Sequence, residues 1–223
     1  MKLLAIDTST ECASVALVTQ GVFSCKEQPA QRQHAQLLLP MVDQLLVDAG
    51  IGLNELDGIV FGRGPGSFTG LRIACSVVKG LAYAHDLPVF PVSGLAAIAN
   101  EATCQQKSDP NQAVLAMIDA RMNQVYWACY LSEGKEPLEE VSNVPDIKIA
   151  GDFPLLLAGV GYKAYLQQLP SAIISRIIGY IDSYPNAKAM LRIALSGKIK
   201  AVSAADALPV YIRNQVVQGK SHG

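Results

Sequence analysis

Residues 61–72 read Phe-Gly-Arg-Gly-Pro-Gly-Ser-Phe-Thr-Gly-Leu-Arg, which places four glycines and a proline between an apolar strand and a long apolar helix. The strand is predicted over residues 56–61, and Ser67 or Thr69 can cap the helix that follows. Glycines before a helix N-terminus allow an anion to approach free N–H groups, but a tight turn without any ligand has the same composition. The Walker and dinucleotide-binding patterns are absent because the glycine spacing differs. We call this unit the glycine loop: Gly62, Arg63, Gly64, Pro65, Gly66, Ser67, Thr69 and Gly70.

The N-terminal segment favours a three-stranded meander. The apolar run at residues 3–6 ends in Asp7 and three hydroxyl residues, and further strands are predicted at residues 12–18 and 21–25. A meander followed by helix, strand, helix and strand is the order found in α/β proteins of the actin, sugar kinase and Hsp70 (ASKHA) class. That class is a duplicated fold with two small subdomains, each a mixed sheet with flanking helices. We expect subdomains at residues 1–104 and 105–223, the second a reduced copy of the first, with the final segment packing back on the first.

The turn after the first strand faces nucleotide phosphates in that class. In that class, the residue two positions after the acid that ends the strand is commonly glycine. Here that residue is Ser9, whose side chain would crowd a phosphate. Asp7 is expected to organise the turn by accepting hydrogen bonds from its neighbours, not to act in catalysis. Gly159-Val160-Gly161 resembles the second phosphate loop in position. We predict a vestigial nucleotide groove with weak nucleotide binding at most, formed by Asp7, Thr8, Ser9, Thr10, Gly159 and Gly161.

Residue types that carry catalysis are sparse and scattered. His34, His85 and His222 are too far apart for two imidazoles on one helix face to reach the same ion. The five cysteines contain no Cys-x-x-Cys pair, and their odd number suits a reducing compartment. Ser67 is not in a nucleophile elbow, because its flanking glycines are wrongly spaced. The sequence therefore predicts no catalytic residue and no metal site.

Four blocks of the sequence together resemble the bacterial TsaB family, also called YeaZ. They are Leu-Ala-Ile-Asp-Thr-Ser-Thr at 4–10, the glycine loop continued to residue 72, Ile-Asp-Ala-Arg at 118–121 with Val-Tyr-Trp at 125–127, and Pro-Val-Tyr-Ile-Arg at 209–213. The resemblance runs from end to end. It implies a cytoplasmic protein needed to make N6-threonylcarbamoyladenosine at position 37 of tRNAs that read codons beginning with A.

The resemblance also implies partners. In that pathway a separate synthase makes threonylcarbamoyl-adenylate, and the paralogous, metal-holding TsaD subunit transfers the threonylcarbamoyl group to tRNA. A TsaB-like chain would be a non-catalytic partner without a cofactor of its own, pairing with TsaD as a heterodimer, self-associating as a homodimer and working with the ATPase TsaE. The tRNA would be contacted only within the complex.

Two predicted helices carry apolar bands wider than one core-facing stripe requires, at residues 33–49 and after the glycine loop. In the TsaB family these helices form the surface for self-association and for TsaD, so both pairings would compete for one face. Replacing Leu38 or Val77 by Asp is expected to break partner binding while the monomer stays folded. The predicted interface comprises His34, Leu38, Met41, Val42, Leu45, Arg72, Ile73, Val77 and Leu81.

Charge and hydropathy argue against some classes of protein. The net charge is −1 and Lys/Arg runs are absent, which argues against an independent nucleic-acid binder. Apolar runs are too short to cross a bilayer and no export signal follows Met1, so a cytoplasmic protein without membrane contact is expected. Two other functions stay open: an ATP-dependent small-molecule kinase, which tight Mg-ATP binding would support, and a metal-dependent hydrolase or protease, which tightly bound metal would support.

Overall fold

A computed structural model describes residues 1–29, 33–106, 111–132 and 136–213 and contains two five-stranded mixed sheets. The N-terminal sheet has the order β3-β2-β1-β4-β5. Its meander is antiparallel, whereas β4 and β5 continue in parallel from β1. The strands are β1 Leu3–Asp7, β2 Cys12–Thr19, β3 Val22–Pro29, β4 Gly58–Gly64 and β5 Val89–Ser93.

The C-terminal sheet repeats this topology. Its order is β10-β9-β6-β7-β8, with an antiparallel meander and two parallel strands added beside its first strand. β6 therefore occupies the place of β1, and β9 the place of β4. This duplication confirms the ASKHA fold class. The strands are β6 Ala113–Asp119, β7 Gln124–Leu131, β8 Glu140–Asn143, β9 Leu155–Val160 and β10 Ile177–Asp182.

Helices cover both faces of the N-terminal sheet. Leu4 and Ile6 of β1 point to a core formed with the first two helices, while Leu3 and Ala5 point to a core formed with the last helix. A strand buried on both faces needs a continuous apolar run, which explains the composition of β1. The helices are α1 His34–Ala49, α2 Phe68–Ala84, α3 Gly94–Gln105, α4 Ser171–Ile174 and α5 Ala187–Leu195.

Two helices tie the sheets together. α3 packs on β6, β7 and β9 of the C-terminal sheet, and α5 packs on β1, β2, β4 and β5 of the N-terminal sheet. The two helices also contact each other, where Arg192 of α5 forms an ion pair with Glu101 of α3 at 2.9 Å. Each half of the sequence thus supplies a helix to the other half's sheet.

The segment after α5, residues 199–213, runs along the outside of the molecule, and we call it the closing segment. Val202 bridges to Val89 at the open edge of β5. Further along, the N–H of Val210 donates to the carbonyl of Arg63 at 2.7 Å. Arg213 then donates to Gln124 Oε1 at 2.6 Å, at the start of β7. The closing segment therefore contacts both halves of the fold.

Element bounds differ from the sequence expectations in two places that matter for the site. The strand expected to end at Phe61 continues to Gly64, because β4 keeps pairing with β5 through the first glycines. β3 continues to Pro29 beyond the expected end at Cys25, paired along the whole of β2. The helix cap expected at Ser67 is confirmed.

Candidate functional site

The turn after β1 is closed around Asp7. The backbone N–H and the hydroxyl of Ser9 both donate to Asp7 Oδ1, at 3.0 and 2.8 Å. The other oxygen, Oδ2, is buried and has no hydrogen-bond partner in the described part of the chain. Burial raises the pKa of Asp7 to about 7, against the opposing effect of the two Ser9 hydrogen bonds. Asp7 therefore organises the turn mainly through Ser9 and is protonated over much of the acidic range.

The glycine loop packs directly on this turn. The N–H of Ser67 donates to the carbonyl of Ser9 at 2.7 Å, and the hydroxyl of Thr8 donates to the carbonyl of Gly70 at 2.7 Å. Ser67 also caps α2, accepting from the N–H of Gly70 at 3.3 Å. The carbonyls of Ser9 and Gly70 and the hydroxyls of Thr8 and Ser67 are thus used within the chain.

The glycines are required by this close contact. A Cβ on Gly66 would overlap the carbonyl oxygen of Ser9, one on Gly70 would overlap that of Thr8, and one on Gly62 would overlap Asp7 Oδ2. Gly64 has a φ of 110°, which other residues rarely adopt, and its peptide bond to Pro65 is cis. The glycine loop is therefore explained by packing against the chain's own β1–β2 turn.

The second half has its own version of this turn between β6 and β7. Asp119 takes the position of Asp7, and its Oδ1 accepts from the N–H of Arg121 at 2.8 Å and from the hydroxyl of Tyr165 at 2.8 Å. Left-handed backbone at three successive residues, Arg121, Met122 and Asn123, makes the turn. Arg121 reaches the first turn, forming an ion pair with Glu11 at 3.3 Å. The counterparts of the two phosphate-facing turns therefore lie next to each other.

This topology corrects the position expected for the second phosphate loop. Gly159 and Gly161 end β9, the counterpart of β4, and do not lie in the meander turn. Gly159 allows its strand to approach the carbonyl of Met117, and a Cβ on Gly161 would lie 2.6 Å from the Cβ of Asp119. Their role is close packing against β6.

Residues that could support metal or thiol chemistry are not brought together. Among residues 1–29, 33–106, 111–132 and 136–213, no three His, Cys, Asp or Glu side chains are placed to bind one ion. Burial raises the pKa values of the thiols of Cys12, Cys75 and Cys129, which keeps them protonated. His222 lies outside the described residues, and His85 is the residue that follows the last residue of α2.

The predicted helix interface divides into buried and accessible residues. Leu38, Met41, Val42 and Leu45 are at most 7% exposed and belong to the core under the N-terminal sheet. The expectation that Leu38→Asp leaves the monomer folded is therefore wrong, since an isolated carboxylate would enter this core. α1 instead presents Leu39 and Val47, which are 50% and 65% exposed.

α2 presents more of its predicted interface. Ile73, Val77 and Leu81 are half-buried at spacings of four residues and so form one row on the helix, next to the exposed Arg72. His34 instead faces inward. Burial lowers the pKa of His34, only partly offset by a hydrogen bond to the backbone of Thr10. The apolar residues of the predicted interface that a partner can reach are thus Ile73, Val77 and Leu81, which we call the α2 row.

A cavity of about 460 Å³ lies between the two halves beside Arg63. Arg63 crosses to the loop before β8 and makes two hydrogen bonds to the carboxylate of Glu139, at 3.0 and 3.3 Å. Glu139 lies 76 positions from Arg63, and no pattern in the sequence around it marks it as the partner of Arg63. This ion pair uses the one charged side chain of the glycine loop.

The duplicated sheets and the paired turns define a small protein of the actin, sugar kinase and Hsp70 class whose first phosphate turn is filled by its own glycine loop. Comparison with known proteins gives the family. The family model described as TsaD, tRNA N6-adenosine threonylcarbamoyltransferase, matches residues 27–146. The tRNA threonylcarbamoyladenosine biosynthesis proteins TsaB of Haemophilus influenzae and Escherichia coli are 37% and 36% identical to this chain. Both alignments include 100% of this chain, and they include 98% and 99% of the two relatives.

Solved structures agree with this assignment. The structure of YeaZ from Pseudomonas aeruginosa matches with a TM-score of 0.84 and 41% identity, over 94% of this chain and 99% of that one. The chain belongs to the TsaB (YeaZ) family. In the described part of the chain, none of the helices combines the length and the apolar character that crossing a bilayer requires.

Proposed function

We propose that this chain is a non-catalytic subunit that supports a TsaD-family transferase in making N6-threonylcarbamoyladenosine in tRNA. Its full-length relatives are named as TsaB proteins of that biosynthesis. The observation that carries the non-catalytic role is the contact of the glycine loop with the β1–β2 turn. Phosphates would have to approach Ser9 and Gly66, where no room is left even for a methyl group on the glycine.

The same contact argues against a nucleotide-dependent kinase. Asp7 is enclosed, since a Cβ on Gly62 would overlap its Oδ2 and would lie 3.0 Å from Cε of Met190 in α5. A bound nucleotide would have to break the hydrogen bonds of Ser67 and Thr8 described above. We propose accordingly that the chain needs no cofactor and that any nucleotide binds weakly.

The half-buried α2 row supplies a surface for the partner. Ile73, Val77 and Leu81 leave apolar area in solvent, and α1 leaves more at the exposed Leu39. The TsaD family model matches residues that include both helices, so a TsaD subunit would offer similar helices to pack against. We propose that homodimer and heterodimer compete for this surface, that TsaE joins the heterodimer, that tRNA is contacted only in that complex, and that the complex works in the cytoplasm.

The test is transfer of the threonylcarbamoyl group to tRNA from supplied threonylcarbamoyl-adenylate. Reactions contain the TsaD subunit and TsaE with and without this chain, and this chain alone. Activity that requires TsaD and this chain together is expected. Transfer by this chain alone, or full activity of TsaD and TsaE without it, would overturn the proposal.

A further inference from the structure

The cavity beside Arg63 is built by both halves of the fold, and we call it the interdomain cavity. β5 and the start of α3 supply Val92 and Ala96, the loop before β8 supplies Leu138, and the closing segment supplies Ile212. Its volume of about 460 Å³ falls within the range of about 300–1,000 Å³ typical of small-molecule sites, which are common between domains. The cavity therefore has the size and the position to hold one small organic molecule.

The less exposed part of the interdomain cavity is electrically neutral. Arg63 and Glu139 have 24% and 11% of their side chains in solvent, and both carboxylate oxygens of Glu139 accept from Arg63. The hydroxyl of Ser93 caps α3 by accepting from the N–H of Leu95 at 3.1 Å. Burial raises the pKa of Tyr130 above its usual range, so its hydroxyl stays uncharged. A ligand would therefore place an uncharged part of its structure here.

Apolar side chains of the interdomain cavity remain in contact with solvent. Leu138 is 77% exposed and Val210 is 39% exposed. Ile193, Ile199 and Ile212 line the same cavity and are half-buried. Removing apolar surface from water is favourable, and water inside the cavity cannot provide this gain. The walls therefore favour a molecule with an apolar body.

The exposed part of the interdomain cavity carries two lysines. Lys198 and Lys200 both line it, and neither has an ion-pair or hydrogen-bond partner within the residues that the structure describes. Gly197 ends α5 with a φ of 74°, and Ile199 packs against the core formed with α5, so the backbone that carries the lysines is anchored. Against these two charges, the described part of the wall sets one carboxylate that is not paired, the exposed Glu136. The cavity therefore keeps an excess of positive charge.

We propose that the interdomain cavity binds a small organic anion that joins an apolar body to a carboxylate or phosphate group. The body would lie between Ala96 and Leu138, and the anionic group would meet Lys198 and Lys200. A mostly apolar site with a few charged groups that fix orientation is the usual design of a small-molecule site. None of the described residues that line the cavity belongs to α1 or α2, so this site is separate from the surface proposed for TsaD.

The probe is anilinonaphthalene sulfonate, an aromatic monoanion whose fluorescence rises in apolar surroundings. Titrated with the full-length chain, it should bind saturably to one site with a dissociation constant of about 100 µM or tighter. Lys198→Gln combined with Lys200→Gln should weaken binding about fivefold, whereas Glu136→Gln, which removes the opposing charge, should strengthen it about twofold. The matched control, Lys148→Gln combined with Lys188→Gln, removes the same charge from lysines that do not line the cavity and should bind within about 1.5-fold of the unchanged chain.

Ala96→Phe tests where the apolar body lies. Ala96 is half-buried in the first turn of α3 and lines the cavity, so a phenyl ring there would fill space that the probe needs without changing the charge. Binding should weaken about tenfold or more. Circular dichroism checks that each variant is folded. The lysine variants change only exposed side chains, so they test the proposal even if Ala96→Phe does not fold.

Competition identifies the anionic group. Octanoate and phenyl phosphate are added to the complex with the probe, and displacement by one of them assigns the site to a carboxylate or to a phosphate. The proposal is wrong if the probe does not saturate the unchanged chain by about 1 mM, or if the Lys198 and Lys200 variant binds as tightly as its control. It is also wrong if neither anion displaces the probe, or if octanol does so as readily as octanoate.

Discussion

Gly70→Ala tests whether the glycine loop exists for packing. Gly70 lies in the first turn of α2, and its new Cβ would overlap the carbonyl oxygen of Thr8, so α2 or the β1–β2 turn must move. Moving backbone in a packed site costs about 1–3 kcal/mol. The displaced hydrogen bonds from Thr8 and Ser67 add about 1 kcal/mol each, and the better helix propensity of alanine returns about 1 kcal/mol. The net expected loss in the free energy of unfolding is about 2–4 kcal/mol.

Gly80→Ala in the same helix is the control. Gly80 is exposed, and a Cβ there meets no atom within 4 Å. It should stabilise the protein by about 0.5–1 kcal/mol through helix propensity. Urea denaturation measures both variants, and with an m-value of about 2 kcal/mol per molar the midpoint of Gly70→Ala should fall by about 1–2 M. Equal stability of the two variants would refute the packing explanation and restore a ligand-binding role for the glycines.

Three further predictions follow from the same contacts. The folded pKa of Asp7 is about 7, above its unfolded value, so protonated Asp7 contributes its full stability below about pH 4. This contribution, up to ~4 kcal/mol, is lost as pH rises through 7. Asp7→Asn should flatten the decline in urea titrations from pH 5 to 8, and an unchanged slope would show that other groups cause the decline. Val77→Asp should remain folded by circular dichroism and lose TsaD pairing, whereas Leu38→Asp should unfold, and a folded Leu38→Asp would contradict its burial. Glu139→Gln should lower the free energy of unfolding by about 1–3 kcal/mol, because Arg63 loses a charged acceptor and Glu139 is only 11% exposed. If urea denaturation shows no change, the ion pair is not needed to join the two halves.

Local patterns determined much of the fold. The apolar runs at residues 3–6, 12–18 and 56–61 predicted β1, β2 and β4, and the cap at Ser67 predicted the start of α2. For these elements the residues within the element are enough to predict it. β8 and β10 were not predicted, because β8 is a short polar strand and Gly179 interrupts the apolar run of β10 after Ile178. Their pairing comes from neighbours in the sheet.

The sequence by itself determined the fold class, the glycine loop and the family, since each is recognised from short sequence blocks and their order along the chain. Tertiary structure decided what the glycines touch, because Thr8 and Ser9 reach Gly66 and Gly70 only after β1 and β4 pair in parallel. It also decided which side of α1 is open. A helix with a wide apolar band shows from sequence that extra burial is needed, but only the sheet beneath it shows that Leu38 is fully covered and that the α2 row stays half-buried.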